Sequence, residues 1–157
     1  RFVSLNQTRL SNGFRIVTEH MPGLASASIG VWVGAGARHE TPAQNGIAHF
    51  LEHMAFKGTD KRTSLQIAEA IEDVGGYINA YTSREVTAYY ARVLKEDVAL
   101  GLDVIADILL NPSFEIRQSE SPIHTTRLGC AQHGYSATHS TDAIQCYLRL
   151  RHALLAK

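Results

Sequence analysis

The segment "YINAYTSREVTAYYARVL", residues 77–94, reads as two β-strands joined by a polar turn. Aromatic and β-branched residues, which favour strands, lie on both sides of the turn at Thr82 to Glu85. The segments upstream and downstream of this pair supply the remaining elements of the predicted fold.

Two upstream segments also have strand patterns. "TRLSNGFRIVTEH", residues 8–20, predicts a hairpin because extended residues flank Asn12-Gly13, a strong short turn signal. "ASASIGVWVGAGA", residues 25–37, predicts a strand that Gly34 and Gly36 end. Its larger or apolar residues alternate with smaller or polar ones, and they are Ala25, Ala27, Ile29, Val31 and Val33.

Three helices are predicted between and after the strands. Thr41-Pro42, with Gln44 three residues after Thr41, begins the first, which runs to about Phe56 and stops near Gly58. The second follows the cap pair Thr63 and Gln66, has the apolar stripe Ile67, Ile71 and Val74, and ends at Gly75-Gly76. The third runs from about Glu96 to Leu110, with Val98, Leu102, Ile105 and Leu109 at helical spacing before Asn111-Pro112.

This order of elements predicts an α+β fold, a largely antiparallel sheet with helices packed on one face. The first domain is expected to span residues 1–115. From Ile116 onward the periodicity fades, so residues 116–157 are expected to form an irregular, atypical tail. The formal charge changes from −3 over residues 1–115 to +3 over the tail, which holds four of the eight histidines and both cysteines.

The composition narrows the functional class. The formal net charge of zero gives no support for binding to nucleic acid or to an anionic membrane surface. No apolar run approaches the ~20 residues of a membrane helix, and the first residues lack the apolar core of a secretory signal. A first residue other than Met leads us to expect a fragment or a processed form. Cys130 and Cys146 form no metal-type pair, and a reducing compartment is expected.

The first helix carries a candidate metal site in "HFLEHMAFKGT", residues 49–59. At about 100° per residue, His49, Glu52 and His53 point to one side, and the apolar residues point to the other. Two imidazoles at i and i+4 can bind one zinc ion, and a nearby carboxylate can take a proton from an activated water. The alternative is an ordinary polar helix face that carries three such residues by chance.

The stretch resembles the inverted zinc motif of the M16 (pitrilysin/insulinase) metallopeptidase family. "LSNGFRIVTEHMPG", "SIGVWVGAGARHE", "GGYINAYTSREVTAYYARVLKEDV" and "LDVIADILLNPSFE" are similar to the family's N-terminal domain, so the resemblance covers residues 5–115. The sequence is most similar to processing-peptidase-like members from bacteria and mitochondria.

The resemblance implies a zinc-dependent endopeptidase, with His49 and His53 as ligands and Glu52 as general base. It places Asn79 near the backbone of a bound peptide and gives Glu85 a supporting role; a turn-capping Asn and a solvated Glu are the alternatives. It also implies that the peptide adds as a strand to the sheet edge, and that a second related half or subunit completes the molecule. The implied compartment is the bacterial cytoplasm or the mitochondrial matrix.

One expected family feature is missing. The third family ligand is a glutamate about 75 residues after the second histidine, and this chain has Gly129 near that position. His124, Cys130 or His133 could supply a ligand, but the spacing favours none of them. We hypothesise that the tail is a frame-shifted, mis-spliced or truncated end. The functional alternatives are a non-catalytic binding or scaffold subunit, which would be expected to lose the His/Glu/His residues, and an inactive fragment.

Overall fold

The computed structural model describes residues 4–113. The strands are β1 (Ser4–Arg9), β2 (Arg15–His20), β3 (Ser26–Val33), β4 (Tyr77–Thr82) and β5 (Thr87–Leu94). The α-helices are α1 (Ile47–Ala55), α2 (Ser64–Glu72) and α3 (Val98–Leu110), and short 3-10 turns lie at Ala37–His39, Pro42–Gln44 and Lys95–Asp97. The predicted tail, residues 116–157, lies outside the described residues.

The central sheet has the strand order β3-β5-β4, and both pairings are antiparallel. Successive side chains of β5 point to opposite faces of the sheet. Tyr89, Ala91 and Val93 are buried on one face against residues of all three α-helices. The other members of this core are Ala55, Ile67, Ile71, Val104, Ile105 and Ile108. The prediction of an antiparallel sheet with helices on one face is therefore confirmed.

The opposite face of the central sheet is aromatic and largely exposed. Trp32 of β3 and Tyr81 of β4 both pair across from Ala88 of β5. The Trp32 indole donates a hydrogen bond from Nε1 to the Tyr81 hydroxyl at 3.3 Å. Ala88 is completely buried, and the helices within residues 4–113 pack on the other face, which indicates that the two aromatic side chains cover it.

The predicted hairpin around Asn12-Gly13 is present as β1 and β2, which form a separate two-stranded sheet. Gly13 adopts φ 85°, a conformation that side chains other than glycine rarely adopt. The Asn12 side chain accepts a hydrogen bond from the Phe14 N–H at 3.0 Å. The local turn signal therefore predicted this element correctly.

The predicted start of the first helix was wrong. The chain forms a 3-10 turn at Pro42–Gln44, and α1 begins at Ile47 after Gly46, which has φ 91°. The left-handed backbone at Gly46 interrupts the helix that Thr41-Pro42 was expected to begin. Thr41 and Gln44 form no capping box, and the Thr41 hydroxyl instead donates to the Gln44 side chain at 3.1 Å.

The predicted core face of the third helix needs one correction. Leu102 is 49% exposed, whereas Val104 and Ile108 are completely or almost completely buried. The helix is apolar around much of its surface, "VALGLDVIADILL", so helical spacing alone did not identify the side that packs on the sheet.

A buried carboxylate joins α3 to the loop between α1 and α2. Asp107 is 2% exposed and accepts hydrogen bonds from Thr59 Oγ1 at 2.7 Å, Arg62 Nη1 at 2.8 Å and Asn111 Nδ2 at 3.1 Å. The second guanidinium nitrogen of Arg62 contacts Asp103 at 2.5 Å. These bonds supply Asp107 with the partners that a buried charge requires.

Among residues 4–113, the helices are all too short or too polar to cross a lipid bilayer.

Candidate metal and catalytic site

Helix α1 has one buried apolar face and one more exposed face that carries His49, Glu52 and His53. Ile47, Leu51, Met54 and Ala55 are buried, as the periodicity predicted. His49 and His53 are exposed, and Glu52 is half-buried. Burial of the apolar face fixes the rotation of the helix, so that the two imidazoles point away from the core.

The two imidazoles converge on a single point. His49 Nε2 and His53 Nε2 are 3.0 Å apart, and the ring centroids are 4.6 Å apart with the rings inclined at 71°. Two nitrogens bound to one tetrahedral zinc at 2.0–2.1 Å would be about 3.3 Å apart. A zinc ion could therefore be bound by both atoms after a small adjustment of the rings.

The lowered pKa of His53 favours the neutral imidazole that a metal ligand requires. Partial burial and the neighbouring His49 lower the pKa of His53 below its usual 6.5, although the Glu52 carboxylate opposes this shift. A metal-binding imidazole must be neutral. At neutral pH, His53 therefore has the protonation state that metal binding requires.

Glu52 is held by the edge strand rather than by the histidines. Thr82 Oγ1, at the end of β4, donates a hydrogen bond to Glu52 Oε2 at 2.5 Å. Burial raises the pKa of the nearby Tyr89, and the Glu52 charge raises it further, so the Tyr89 hydroxyl stays protonated. The Thr82 hydroxyl therefore orients one oxygen of Glu52, and the neutral Tyr89 side chain lies nearby.

The structure places the two other predicted site residues away from the histidines. Asn79 lies on β4, but the alternation of the strand puts its side chain on the face opposite Thr82. Its Nδ2 donates to the Tyr77 hydroxyl, and its Oδ1 accepts from the Ala80 N–H at 2.8 Å. Glu85 forms an exposed ion pair with Arg38 at 2.7 Å.

Two residues that contact α1 were not identified from the sequence. Glu40 accepts hydrogen bonds at the start of α1, and Thr82 binds Glu52. The strand alternation of residues 77–82 could have placed Thr82 on the helix side of β4. No local pattern connects Glu40 to a helix that begins seven residues later.

The third metal ligand is not found among residues 4–113, where no group of three His, Cys, Asp or Glu side chains converges. The Glu52 carboxylate is hydrogen-bonded to Thr82, and it does not converge with the two imidazoles into a group of three. The tail candidates His124, Cys130 and His133, and Gly129 at the expected ligand position, lie outside the described residues.

The chain is similar in sequence to known peptidases. The chain is 56% identical over 108 residues to the probable mitochondrial-processing peptidase subunit beta of Arabidopsis thaliana, covering 69% of this chain and 20% of that protein. It is 53% identical over 104 residues to a zinc protease, YmxG, of Bacillus subtilis, covering 66% of this chain and 25% of that protein. The chain thus spans about a quarter or less of the length of these relatives.

A solved structure supports the fold. The structure of a protease from Helicobacter pylori superposes with a TM-score of 0.72 at 23% identity, covering 85% of this chain and 31% of that chain. The sequence profile described as Insulinase (Peptidase family M16) matches residues 15–143, a range that continues past Glu115. With its His/Glu/His helix set against an antiparallel sheet, this chain belongs to the insulinase family of peptidases, M16.

Proposed function

We propose that this chain carries the zinc-binding and catalytic helix of a metalloendopeptidase that cleaves extended peptides. The observation that supports this most is the 3.0 Å approach of His49 Nε2 and His53 Nε2, one turn from a carboxylate that Thr82 orients. The name of the Bacillus subtilis relative, a zinc protease, supports the choice of metal.

The proposed chemistry assigns one task to each side chain. Zinc held by His49 and His53 would polarise the scissile carbonyl and make a water acidic near neutral pH. Glu52 acts as general base, takes the proton of that water and returns it to the leaving amine. The Thr82 hydroxyl donates to one carboxylate oxygen of Glu52, and the other oxygen accepts and returns the proton.

We propose that the peptide adds to the free edge of β4, which has a neighbour on one side only within residues 4–113. The Ala80 N–H bonds to a side chain, so the backbone groups of Ala80, and by alternation those of Ile78 and Thr82, face that edge. A paired peptide would pass Thr82 and reach Glu52. Asn79 would contact its backbone, and Glu85 would support the turn through Arg38.

We further propose that a second M16 half or subunit completes the site and provides the groups that this chain lacks. The name of the Arabidopsis thaliana relative, which calls it a subunit of a mitochondrial-processing peptidase, supports a partner. We propose the mitochondrial matrix or the bacterial cytoplasm as the compartment, since one relative is named as mitochondrial and the other comes from a bacterium.

Zinc titration tests the metal site. We expect wild-type chain to bind about one zinc ion, and His49→Ala or His53→Ala to weaken binding at least about tenfold, since even the loss of a supporting partner costs that much. His20→Ala, which removes an exposed histidine of β2, is the control. Equal zinc binding by all four proteins would refute the site.

Thr82 provides a test of how Glu52 is held. A hydrogen bond to a charged group contributes about 1.5–3 kcal/mol, so Thr82→Val should lower kcat roughly tenfold to a hundredfold. KM and zinc affinity should stay near the wild-type values. Thr82→Ser keeps the hydroxyl and should recover most of the rate. Equal losses in the Val and Ser variants would show that the hydroxyl has no such role.

A second candidate function is a non-catalytic subunit that binds peptides on the β4 edge. The observation that favours it is the lack of a third converging ligand within residues 4–113. Such a subunit would bind an extended peptide without zinc, and its binding would be insensitive to Glu52→Gln.

A further inference from the structure

We infer that Glu40 is a positioning residue that sets the zinc-binding pair by capping α1, a role that rests on the proposed function. Its Oε2 accepts a hydrogen bond from the Gly46 N–H at 2.6 Å, and its Oε1 accepts one from the Ala48 N–H at 2.9 Å. The first backbone N–H groups of a helix have no partner within it, and they favour a negative charge. Glu40 provides both the acceptors and the charge.

This cap has no simple replacement. Ile47 and Ala48 are 2% and 6% exposed, so water has little access to the first turn of α1. Gly46 has a left-handed backbone and no side chain that could cap the helix. His49 follows Ala48 directly, and Glu52 and His53 lie in the next turn. A shift of the first turn would therefore move one imidazole relative to the other.

The segment that precedes Glu40 is held against the hairpin formed by β4 and β5. The Ala37 N–H donates to the Ser83 C=O at 3.0 Å, and the Arg38 N–H donates to the Arg84 C=O at 2.9 Å. A Cβ atom on Gly36 would lie 2.4 Å from the Ser83 oxygen, so the segment packs directly against the turn. The Arg38–Glu85 ion pair lies at the same contact.

The catalytic helix is therefore attached to one hairpin at two points. Glu40 binds its first turn, and the segment at residues 36–38 just before Glu40 contacts the turn at residues 83–85. Thr82 links Glu52 to the end of β4. The same hairpin provides the proposed peptide edge. Glu40 thus helps to fix the position of the two imidazoles relative to Glu52 and to the strand proposed to bind the peptide.

Glu40→Gln tests this role, because the carboxamide keeps the shape of the side chain but has one acceptor oxygen instead of two. We expect the amide proton signals of Gly46 and Ala48 to shift in the NMR spectrum. We also expect the zinc dissociation constant of the folded chain to rise about tenfold, comparable to the loss of a group that directly supports a metal ligand. Glu40→Ala should give a larger rise, up to about a hundredfold.

Glu72→Gln, a change at an exposed position of α2, is the matched control and should alter neither measurement. Circular dichroism establishes that each variant is folded at the temperature of the titration. Unshifted Gly46 and Ala48 signals in Glu40→Gln, or shifted signals with unchanged zinc affinity, would overturn the positioning role alone. A wild-type chain that binds no zinc would overturn the proposed function as well, and the amide signals would still show whether Glu40 caps α1.

Discussion

Glu52→Gln should lower the rate of peptide cleavage by about 10²–10⁴-fold, the usual contribution of a positioned general base. The carboxamide keeps the size of the side chain and can still accept from Thr82 Oγ1. It cannot take a proton from water at neutral pH, so the loss should appear in kcat. The measurement is single-turnover cleavage of an extended peptide.

Zinc content distinguishes this effect from damage to the metal site. Glu52 is not placed as a ligand, so the Gln variant should retain as much zinc as wild type. Glu69→Gln, an exposed change on α2, should leave both zinc and rate unchanged. Cleavage by Glu52→Gln at the wild-type rate would exclude Glu52 as the base.

Asp107→Ala should lower the free energy of unfolding by about 3–5 kcal/mol, because three hydrogen-bond donors lose one buried acceptor and each lost partner costs roughly 1–3 kcal/mol. The change leaves Arg62, whose side chain is 21% exposed, without its buried partner, and it removes the acceptor of Thr59 and Asn111. Urea unfolding measures the loss. Asp103→Ala, at a position 54% exposed, should cost less than about 1 kcal/mol.

The same carboxylate makes stability depend on pH. Burial by itself would raise the pKa of Asp107, but hydrogen bonds from Thr59, Asn111 and Arg62 outweigh it and hold the pKa below its usual 3.8. Because the folded pKa is lowered, the stabilisation is complete above pH 3.8 and is lost as the pH falls through the folded pKa. Asp107→Asn should remove this part of the acid dependence, and an unchanged acid dependence would contradict the assignment.

The parts of the fold that the sequence predicted depend on residues close together in the chain. The capping box of Thr63 and Gln66 is present, with both reciprocal hydrogen bonds, because partners three residues apart meet whenever a helix begins there. The same pattern at Thr41 and Gln44 failed, because the left-handed Gly46 separates it from α1.

The contacts of the candidate site were likewise predictable only where the residues lie close together in the chain. His49 and His53 were predicted to converge because helical periodicity alone brings residues four apart together. Thr82 meets Glu52 across 30 positions, and Arg62 meets Asp107 across 45, through packing that no local pattern records. Glu40 is nearer to α1, but its contact depends on how the intervening turn folds.

The hydrogen bond between Trp32 and Tyr81 has a practical consequence. Trp32 is the sole tryptophan of the chain, and its indole touches the strand that we propose receives the peptide, rather than the core. Intrinsic fluorescence excited at the indole therefore reports on the edge of the sheet, so a change in emission on adding a peptide would signal docking without any attached dye.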